Sequence, residues 1–236
     1  MPKISAVIPT YNCIAWLPMC IGSLLSQTEQ DMEVIVINDG STDGTMEFLD
    51  DYYGKNERVK IVHNAKNSGA GYSRNLGAML ASSDIILVAD ADDCYINTHA
   101  EMILKWFKEN PESELVNFPY VTIDYFEKIV EAHKGEPFDH ELHLKDGGVN
   151  YFCNPACAYK KDAMNSIGGY EVEKQGITDD MQMIQKWVKA GKKVDFCGND
   201  GNGNVPFGVM HRILPNSMMA KQRGFKPEWL KPRVTA

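Results

Sequence analysis

The chain of 236 residues lacks several features that would assign it to other classes of protein. No stretch reaches the roughly eighteen apolar residues that a membrane-spanning helix requires. No basic run is present and the net charge is −8, which argues against a broad nucleic-acid-binding surface. The six cysteines show no disulfide-framework spacing, which favours reduced thiols. No signal-peptide pattern precedes the first predicted strand, so we expect a cytoplasmic location.

What the chain does contain is a regular alternation of segments before Asp90. Short apolar runs at residues 3–9, 33–38, 59–62 and 85–89 predict strands, and apolar residues at helical spacing lie between them. In the turn at 39–44, Ser41 or Thr42 is placed to cap a helix running to about Tyr53. Strands that alternate with helices are typical of βαβ units. We therefore predict an α/β fold with a doubly wound, mostly parallel sheet flanked by helices.

The most informative residues are Asp90, Ala91, Asp92 and Asp93, which directly follow the apolar run at 85–89. A buried parallel strand at 85–89 would deliver these carboxylates to the crevice where open α/β sheets bind ligands. Carboxylates this close repel one another unless a cation compensates them, and Mg²⁺ and Mn²⁺ prefer oxygen ligands. The alternative is a solvated acidic turn. The preceding strand favours a site for a metal ion and a diphosphate.

Other polar residues follow predicted strands and therefore converge on the same crevice. Tyr11 and Asn12 follow the first strand and Asp39 follows the second, while Arg74 lies on the helix after a glycine-containing turn. Tyr11 is placed to stack on a base, Asp39 to accept hydrogen bonds from a base or ribose, and Arg74 to face a phosphate. Each residue alone is compatible with packing or surface charge. Their joint placement favours a nucleotide site.

Taken together, these motifs resemble those of a family 2 glycosyltransferase, an inverting enzyme with the GT-A fold. Four motifs stand in the family's order and spacing: Val7-Ile8-Pro9-Thr10-Tyr11-Asn12, Asn38-Asp39-Gly40-Ser41-Thr42-Asp43, Asn67-Ser68-Gly69 with Ser73-Arg74-Asn75, and Asp90-Ala91-Asp92-Asp93. One departure is Asn38, which stands where the family often has a further aspartate.

The resemblance implies metal-dependent transfer of a sugar from a nucleotide diphosphate sugar, with a UDP-sugar favoured, to an acceptor hydroxyl. The implied cofactor is Mn²⁺ or Mg²⁺, and the implied metal ligands are Asp92, Asp90, Asp93 and His211. The implied donor-binding residues are Pro9, Thr10, Tyr11, Asn12, Asp39, Asn67, Arg74, Asp90 and Ala91. Arg212 and Lys221 are further candidates for contact with the diphosphate.

A second block resembles the family's acceptor-side segment. It contains Ile167-Gly168-Gly169-Tyr170 and then Thr178-Asp179-Asp180, which opens a predicted amphipathic helix. The family has Glu-Asp where this chain has Asp179-Asp180, and the match makes Asp180 the general base and Asp179 the second catalytic candidate. Helix capping is the structural alternative for either aspartate. A single displacement by one base predicts inversion at the anomeric carbon.

We expect one compact domain with a nucleotide-sugar-binding lobe at residues 1–97, an acceptor-binding lobe at 98–223 and a C-terminal tail at 224–236. The second lobe is predicted to have a helix at 98–110, a strand at 115–125 in a smaller mixed sheet, and a loop-rich insert at 126–150. A turn or lid at 198–204 and a last strand at 205–209 then lead to His211.

Cysteines and histidines in the second half allow a different interpretation. Cys153, Cys157, Cys197 and His211 resemble a set of zinc ligands, but the spacing is unusual and buried structural cysteines are the better interpretation. The histidines of the insert are interpreted as solvated rather than metal-bound: His133, His140 and His143.

Two other functional classes stay open. A nucleotidyltransferase also uses carboxylates and a divalent ion at a sheet end, but usually has a glycine-rich loop with a basic residue where this chain has residues 9–12. A non-catalytic sugar- or nucleotide-binding module would not need both Asp92 and Asp180. The acceptor is open among a saccharide, a lipid-linked glycan, a protein and a modified nucleobase. A processive polysaccharide synthase is disfavoured, because no membrane helices are present.

Overall fold

The computed structural model describes residues 1–124, 128–133, 153–172, 179–198 and 207–213. The elements up to the acidic turn are β1 (Ile4–Thr10), α1 (Leu17–Leu25), β2 (Met32–Asn38), α2 (Thr45–Tyr53), β3 (Val59–His63), α3 (Ala70–Leu80) and β4 (Ile85–Val88). After the turn come β5 (Cys94–Tyr95), α4 (His99–Glu109), β6 (Leu115–Asn117), β7 (Tyr120–Ile123), β8 (Ile129–His133), a 3₁₀ turn (Asn154–Ala156), β9 (Cys157–Lys160), α5 (Lys161–Ser166), α6 (Asp179–Lys189), β10 (Asp195–Phe196) and β11 (Val209–Arg212).

The strands form a large and a small sheet. The large sheet has seven strands in the order β3-β2-β1-β4-β9-β6-β10, with β9 antiparallel to its neighbours β4 and β6. The small sheet has the order β5-β11-β7-β8 and mixes parallel with antiparallel pairs. The predicted α/β fold, with a mostly parallel sheet and a smaller mixed one, is confirmed.

The two faces of the large sheet belong to different cores, because alternate side chains of a strand point to opposite faces. Ala6 and Ile8 of β1 join the core that contains the apolar side of α1. Val7 joins the other core, with residues of α5 and α6. A Cβ added at Gly77 of α3 would lie 2.3 Å from Val7 Cγ1, so glycine is what lets α3 pack this closely on β1. Because each face of the large sheet is buried in a core, side chains on both faces of these strands are apolar, which explains their continuous apolar sequences.

Residues 115–123 form two strands, so the prediction of one strand at 115–125 in the small sheet was wrong. β6 pairs with β9 and β10 in the large sheet, whereas β7 pairs with β11 and β8 in the small one. The break falls at Phe118-Pro119. Proline has no amide hydrogen with which to continue a sheet ladder, so the chain changes sheet there.

The start of α2 also differs from its prediction. The helix begins at Thr45, whose amide donates to the carboxylate of Asp43 at 3.2 Å. Ser41 and Thr42 do not cap it; they bond instead to Asn12 in the loop after β1. The Ser41 and Thr42 hydroxyls, which the sequence suggested as caps for α2, therefore bond to Asn12 and join the loop after β2 to the loop after β1.

The insert predicted as a loop at 126–150 contains strand β8. His133 on β8 is buried, bonds to Thr122 and stacks on Tyr120, so its interpretation as a solvated histidine was wrong. Among the described residues the last strand is β11, which begins at Val209, where the predicted strand 205–209 ends, and includes His211 itself; residues 205 and 206 lie outside the described ranges. The histidines at 140 and 143, most of the lid at 198–204, and the tail at 224–236 lie outside the described residues. None of the helices in the described ranges has the length and apolar character needed to cross a membrane.

His99, the first residue of α4, is an exception to the apolar character of the core. It is fully buried, and neither ring nitrogen has a hydrogen-bond partner among the described residues. The ring stacks on Tyr95 with 5.9 Å between centroids and meets Phe118 edge-on at 5.0 Å. Burial lowers the pKa of His99 to about 3 from its ordinary 6.5. The imidazole is therefore neutral in the fold at any pH near neutrality.

We predict that His99→Phe makes the fold less sensitive to acid. Below pH 6.5 the unfolded chain binds a proton that the folded chain does not, so the contribution of His99 to the free energy of unfolding falls by up to about 1.4 kcal/mol per pH unit. Urea unfolding at pH 7.5 and 4.5 should show the difference between variant and wild type growing in the variant's favour at pH 4.5. His63→Phe, at an exposed histidine, is the control. A difference that is the same at both pH values would contradict the prediction.

Candidate active site

The carboxyl ends of β1, β2 and β4 meet at one edge of the large sheet. In the parallel register Thr10 lies beside Asn38, so the next residues, Tyr11 and Asp39, leave neighbouring strands together. β4 pairs with β1 up to Val88, and the acidic turn begins two residues later at Asp90. The structure thus brings the residues after three strands to one crevice, which is where open α/β sheets bind ligands.

Arg74 on α3 joins two of the predicted site aspartates. Its Nη2 donates to Asp90 Oδ1 at 2.7 Å, and its Nη1 donates to Asp179 at the start of α6. The guanidinium carbon lies 5.5 Å from the centroid of the Tyr170 ring. Burial opposes the charged form, yet the charges of Asp90 and Asp179 hold the pKa of Arg74 above its ordinary value. Both Nη groups therefore bind carboxylates in this structure.

Asp93 and His211 form a second buried pair. The Asp93 carboxylate lies 2.9 Å from His211 Nδ1 and accepts from the Arg212 amide at 2.8 Å. Burial alone would lower the pKa of His211, but the neighbouring Asp93 raises it to about 9. The imidazole is therefore protonated at neutral pH. Since Nδ1 faces Asp93, Nε2 is the nitrogen left for a metal ion, which would have to displace the Nε2 proton of the imidazolium.

Asp92 is the carboxylate of the acidic turn whose ionisation is most disfavoured by its surroundings. Burial, followed by the charges of Asp93 and Asp90, raises the pKa of Asp92 to about 7 from 3.8. Asp90 is paired with Arg74 and Asp93 with His211, so these two carboxylates have a cation each. A further positive charge near Asp92 would favour its ionised form.

Arg212 holds the acidic turn through its backbone. Its Nε donates to the carbonyl of Asp92 at 3.1 Å, its Nη1 donates to the carbonyl of Asp124 at 3.3 Å, and its guanidinium carbon lies 4.2 Å from the centroid of the Trp16 ring. The residue is 1% exposed. Arg212 therefore holds the shape of the turn in this structure, and its predicted contact with a diphosphate stays a prediction. Sequence reasoning missed Trp16, which follows β1 by six residues.

The Asp39 carboxylate shapes the turn before α3. It accepts from Asn64 Nδ2 at 2.7 Å, from the Ser68 amide at 3.0 Å and from the Gly69 amide at 2.8 Å. Asn67 Oδ1 also accepts from the Gly69 amide. Asp39 is 3% exposed, so its main contacts in this structure are internal. Its contact with a base or ribose stays a prediction.

Tyr11 lies on the loop after β1, which is hydrogen-bonded to the loop after β2. Asn12 has a φ of 51°, its Oδ1 accepts from the Thr42 amide at 2.8 Å, and its own amide donates to Ser41 Oγ at 3.0 Å. Tyr11 itself is 49% exposed, which suits a ring that stacks on a flat ligand. The remaining predicted donor-binding residues are placed as follows: Thr10 and Ala91 are buried and Pro9 is half-buried.

The acceptor-side aspartates begin α6, and the two differ in their contacts. Asp179 pairs with Arg74. Asp180 Oδ1 accepts from the amide of Met181 at 2.8 Å. The first turn of α6 is acidic and its last turn is basic, which is the favourable arrangement with respect to the helix dipole. Both aspartates are half-buried. Because Arg74 pairs with Asp179 and not with Asp180, Asp180 is the better placed candidate for the general base.

The zinc interpretation finds no support in the described ranges. All six cysteines are free thiols, and Cys153 and Cys157 are buried. Burial raises the pKa of Cys13 to about 12, so that thiol is a poor nucleophile at neutral pH. No group of three or more His, Cys, Asp or Glu side chains within these ranges is gathered as a metal-binding cluster.

A family model for glycosyl transferase family 2 matches residues 5–168, which include all four motifs after β1, β2, β3 and β4. The chain belongs to this family. The match ends before α6, so the roles of Asp179 and Asp180 are not covered by it.

Relatives of known sequence agree with the family. Chondroitin synthase of Pasteurella multocida is 32% identical over 166 residues, which are 62% of this chain and 17% of that protein. An uncharacterized glycosyltransferase of Haemophilus influenzae is 30% identical over 187 residues, which are 75% of this chain and 59% of that protein. The family 2 chain thus spans less than two thirds of the length of both relatives.

Solved structures show the same fold. S. aureus TarS 1-349 in complex with UDP-GlcNAc superposes with a TM-score of 0.72 at 17% identity, covering 92% of this chain and 60% of that one. The mannosyltransferase PcManGT from Pyrobaculum calidifontis, in complex with GDP-Man and Mn²⁺, gives a TM-score of 0.63 at 16% identity, covering 84% and 55%. The family 2 chain therefore has the GT-A fold.

We predict that Asp92→Asn stabilises the metal-free protein at pH 8. Because the fold raises the pKa of Asp92 to about 7, ionisation costs stability that increases as the pH rises from 3.8 and is fully present above 7. With chelator, urea unfolding should show the variant about 1–3 kcal/mol more stable than wild type at pH 8, with the two converging toward pH 4. Asp90→Asn, which breaks the pair with Arg74, is the control and should destabilise. Equal stability of Asp92→Asn and wild type at pH 8 would refute the assignment.

Proposed function

We propose that this chain is a metal-dependent inverting glycosyltransferase domain that moves a sugar from a nucleotide diphosphate sugar to an acceptor hydroxyl. The observation that carries the proposal is the meeting of two groups of carboxylates across one guanidinium. Arg74 binds Asp90 of the acidic turn and Asp179 beside the candidate base. A binding module needs no general base, and a nucleotidyltransferase usually has a glycine-rich loop with a basic residue where this chain has residues 9–12. The arrangement therefore favours sugar transfer over both alternatives.

The favoured donor is a UDP-sugar. TarS, which shares the fold, is known in complex with UDP and with UDP-GlcNAc, whereas PcManGT is in complex with GDP-Man. In this chain the half-exposed ring of Tyr11 supplies a stacking surface beside the turn that Asp39 organises. Base and ribose would lie between these two residues, with the diphosphate toward the acidic turn.

The residues at the acidic turn fit a divalent cation, Mn²⁺ or Mg²⁺. Asp92 has a carboxylate whose pKa is raised by burial and by neighbouring negative charge, and Asp93 orients His211 with its Nε2 left for a metal. These ions commonly bind through one or two protein carboxylates and complete their coordination with substrate phosphates, which accords with the absence of a three-ligand cluster in the described ranges. When bound, the ion would neutralise charge on the leaving diphosphate.

The proposed reaction is a single displacement. Asp180 removes the proton from the acceptor hydroxyl, the hydroxyl oxygen forms a bond to the anomeric carbon, and the bond from that carbon to the diphosphate breaks with its electron pair on the phosphate oxygen. Attack opposite the leaving group inverts the configuration. The start of α6 favours the ionised form of Asp180. Arg74 neutralises Asp179, so the adjacent carboxylate adds less repulsion to Asp180.

We predict that nucleoside diphosphate stabilises the protein only in the presence of a divalent cation. A ligand bound to the folded state raises the melting temperature, and the diphosphate should need Mn²⁺ or Mg²⁺ to offset the charge of the acidic turn. Thermal unfolding with UDP and Mn²⁺ should show an increase that chelator removes and that Asp92→Asn abolishes. An equal increase in excess chelator would overturn the metal assignment. A larger increase with GDP than with UDP would move the donor preference to a purine.

We predict that Asp180→Asn lowers sugar transfer by about 10²–10⁴-fold while nucleotide-sugar affinity is retained, since a general base acts in the transition state and little in donor binding. Initial rates would be measured by UDP release with a panel of UDP-sugars and monosaccharide acceptors, and donor affinity by calorimetry. The control is Asp162→Asn in the first turn of α5, another acidic residue at a helix start. Near wild-type transfer by Asp180→Asn, or a product with retained configuration, would exclude the single displacement.

A further inference from the structure

Three residues of α3 form one face that contacts the acceptor-side segment. Gly71, Arg74 and Asn75 have the i, i+3, i+4 spacing that places side chains on the same side of a helix. Asn75 Nδ2 donates to the Tyr170 carbonyl at 2.9 Å, and Asn75 Oδ1 accepts from the Tyr170 amide at 2.9 Å. The helix α3 and the segment after α5 are thereby held together by two hydrogen bonds between the Asn75 side chain and the backbone of Tyr170.

Gly71 determines how closely the segment approaches. A Cβ added there would lie 2.4 Å from the Glu171 carbonyl oxygen and 3.3 Å from Asp179 Cβ. The first distance is far below any ordinary contact, so only glycine permits α3 and this backbone to lie side by side. The start of α6 is therefore packed directly on the helix that carries Arg74.

Arg74 is itself held in place from several sides. Its ring neighbour Tyr170 donates from its hydroxyl to Asn154 Oδ1 at 3.1 Å, which anchors the ring to the 3₁₀ turn before β9. Arg74 is 7% exposed, and its two Nη groups bind Asp90 and Asp179. A buried guanidinium with two ionic partners has little freedom to move. Breaking either contact would leave a half-buried carboxylate without its cation.

We infer that Arg74 is a positioning residue for the general base, an inference that rests on the function proposed above. By binding Asp90 and Asp179 together, Arg74 sets the start of α6, and with it Asp180, at a fixed separation from the donor crevice. The role differs from contact with the donor phosphates, because both Nη groups are already taken by carboxylates. Its loss is therefore expected in the turnover of bound substrate more than in the binding of the donor.

The test compares Arg74→Gln, Asp179→Asn and the double variant. Rates of UDP release would be measured with Mn²⁺, the UDP-sugar that wild type uses fastest and the monosaccharide panel. We expect each single variant to lower kcat by about 10–100-fold, as a misplaced catalytic group does, with the donor KM changed by less than about threefold. The double variant should be no slower than the slower single one, because both changes remove the same contact. Arg74→Lys keeps the charge and should recover part of kcat.

The matched control is Arg58→Gln. Arg58 is also partly buried, and it donates to the carbonyl of Leu25 at the end of α1 and to that of Met32 at the start of β2. The start of β2 is the end of the strand that lies away from Asp39. Its loss should lower the melting temperature without the selective loss of kcat. If Arg74→Gln fails to fold, Asp179→Asn decides on the same kcat and KM criterion.

The outcomes separate two failures. If wild type releases no UDP beyond background from any UDP-sugar, the proposed function fails and the inference fails with it. If wild type is active but Arg74→Gln or Asp179→Asn keeps wild-type kcat, or if the two changes multiply in the double variant, the positioning role alone is overturned.

Discussion

The crowding of negative charge at one edge of the large sheet is the constraint on which the rest of this structure depends. The parallel register brings the ends of β1, β2 and β4 together, and three aspartates lie within four residues of one another at that edge. Two buried cations answer this: Arg74 from α3 and His211 from β11. Burial and the charges of Asp93 and Asp90 leave Asp92 with a raised pKa, and the divalent cation proposed above would relieve that imbalance.

Several residues of the candidate site use their side chains to hold the backbone of neighbouring loops. Asp39 accepts from the amides of the turn before α3, Asn12 links the loops after β1 and β2, and Arg212 holds carbonyls of the acidic turn. Asn38, where the family often has aspartate, accepts from the Ser41 amide at 3.1 Å. These contacts place a few exposed groups, such as the ring of Tyr11, on loops with little freedom. Preorganisation of this kind is what a site needs to bind and orient a ligand.

The sequence predicted the fold well where local pattern decides and poorly where tertiary contacts decide. Apolar runs and turn residues were sufficient for the βαβ units. They were insufficient at Pro119, where one apolar stretch serves two sheets, and at His133, whose polar neighbours concealed a buried strand. The sequence placed the residues of the candidate site after the strands that meet at one edge, but it did not predict which of their side chains pair. Arg74 and Asp179 are 105 positions apart, and Asp93 and His211 are 118 apart, so no spacing rule could have joined them.

The same packing accounts for an aspartate at 179, the position where the resemblance drawn from the sequence expects glutamate. A shorter side chain reaches Arg74 only if α6 begins close to α3, and Gly71 removes the side chain that would keep the two apart. Glycine at 71 and aspartate at 179 together allow α6, which carries the candidate base, to begin close to α3 and the donor crevice. A glutamate at 179 would have to fold back or push α6 away from α3. Since Asp180 is the next residue along the same turn, any such shift would be passed on to it directly.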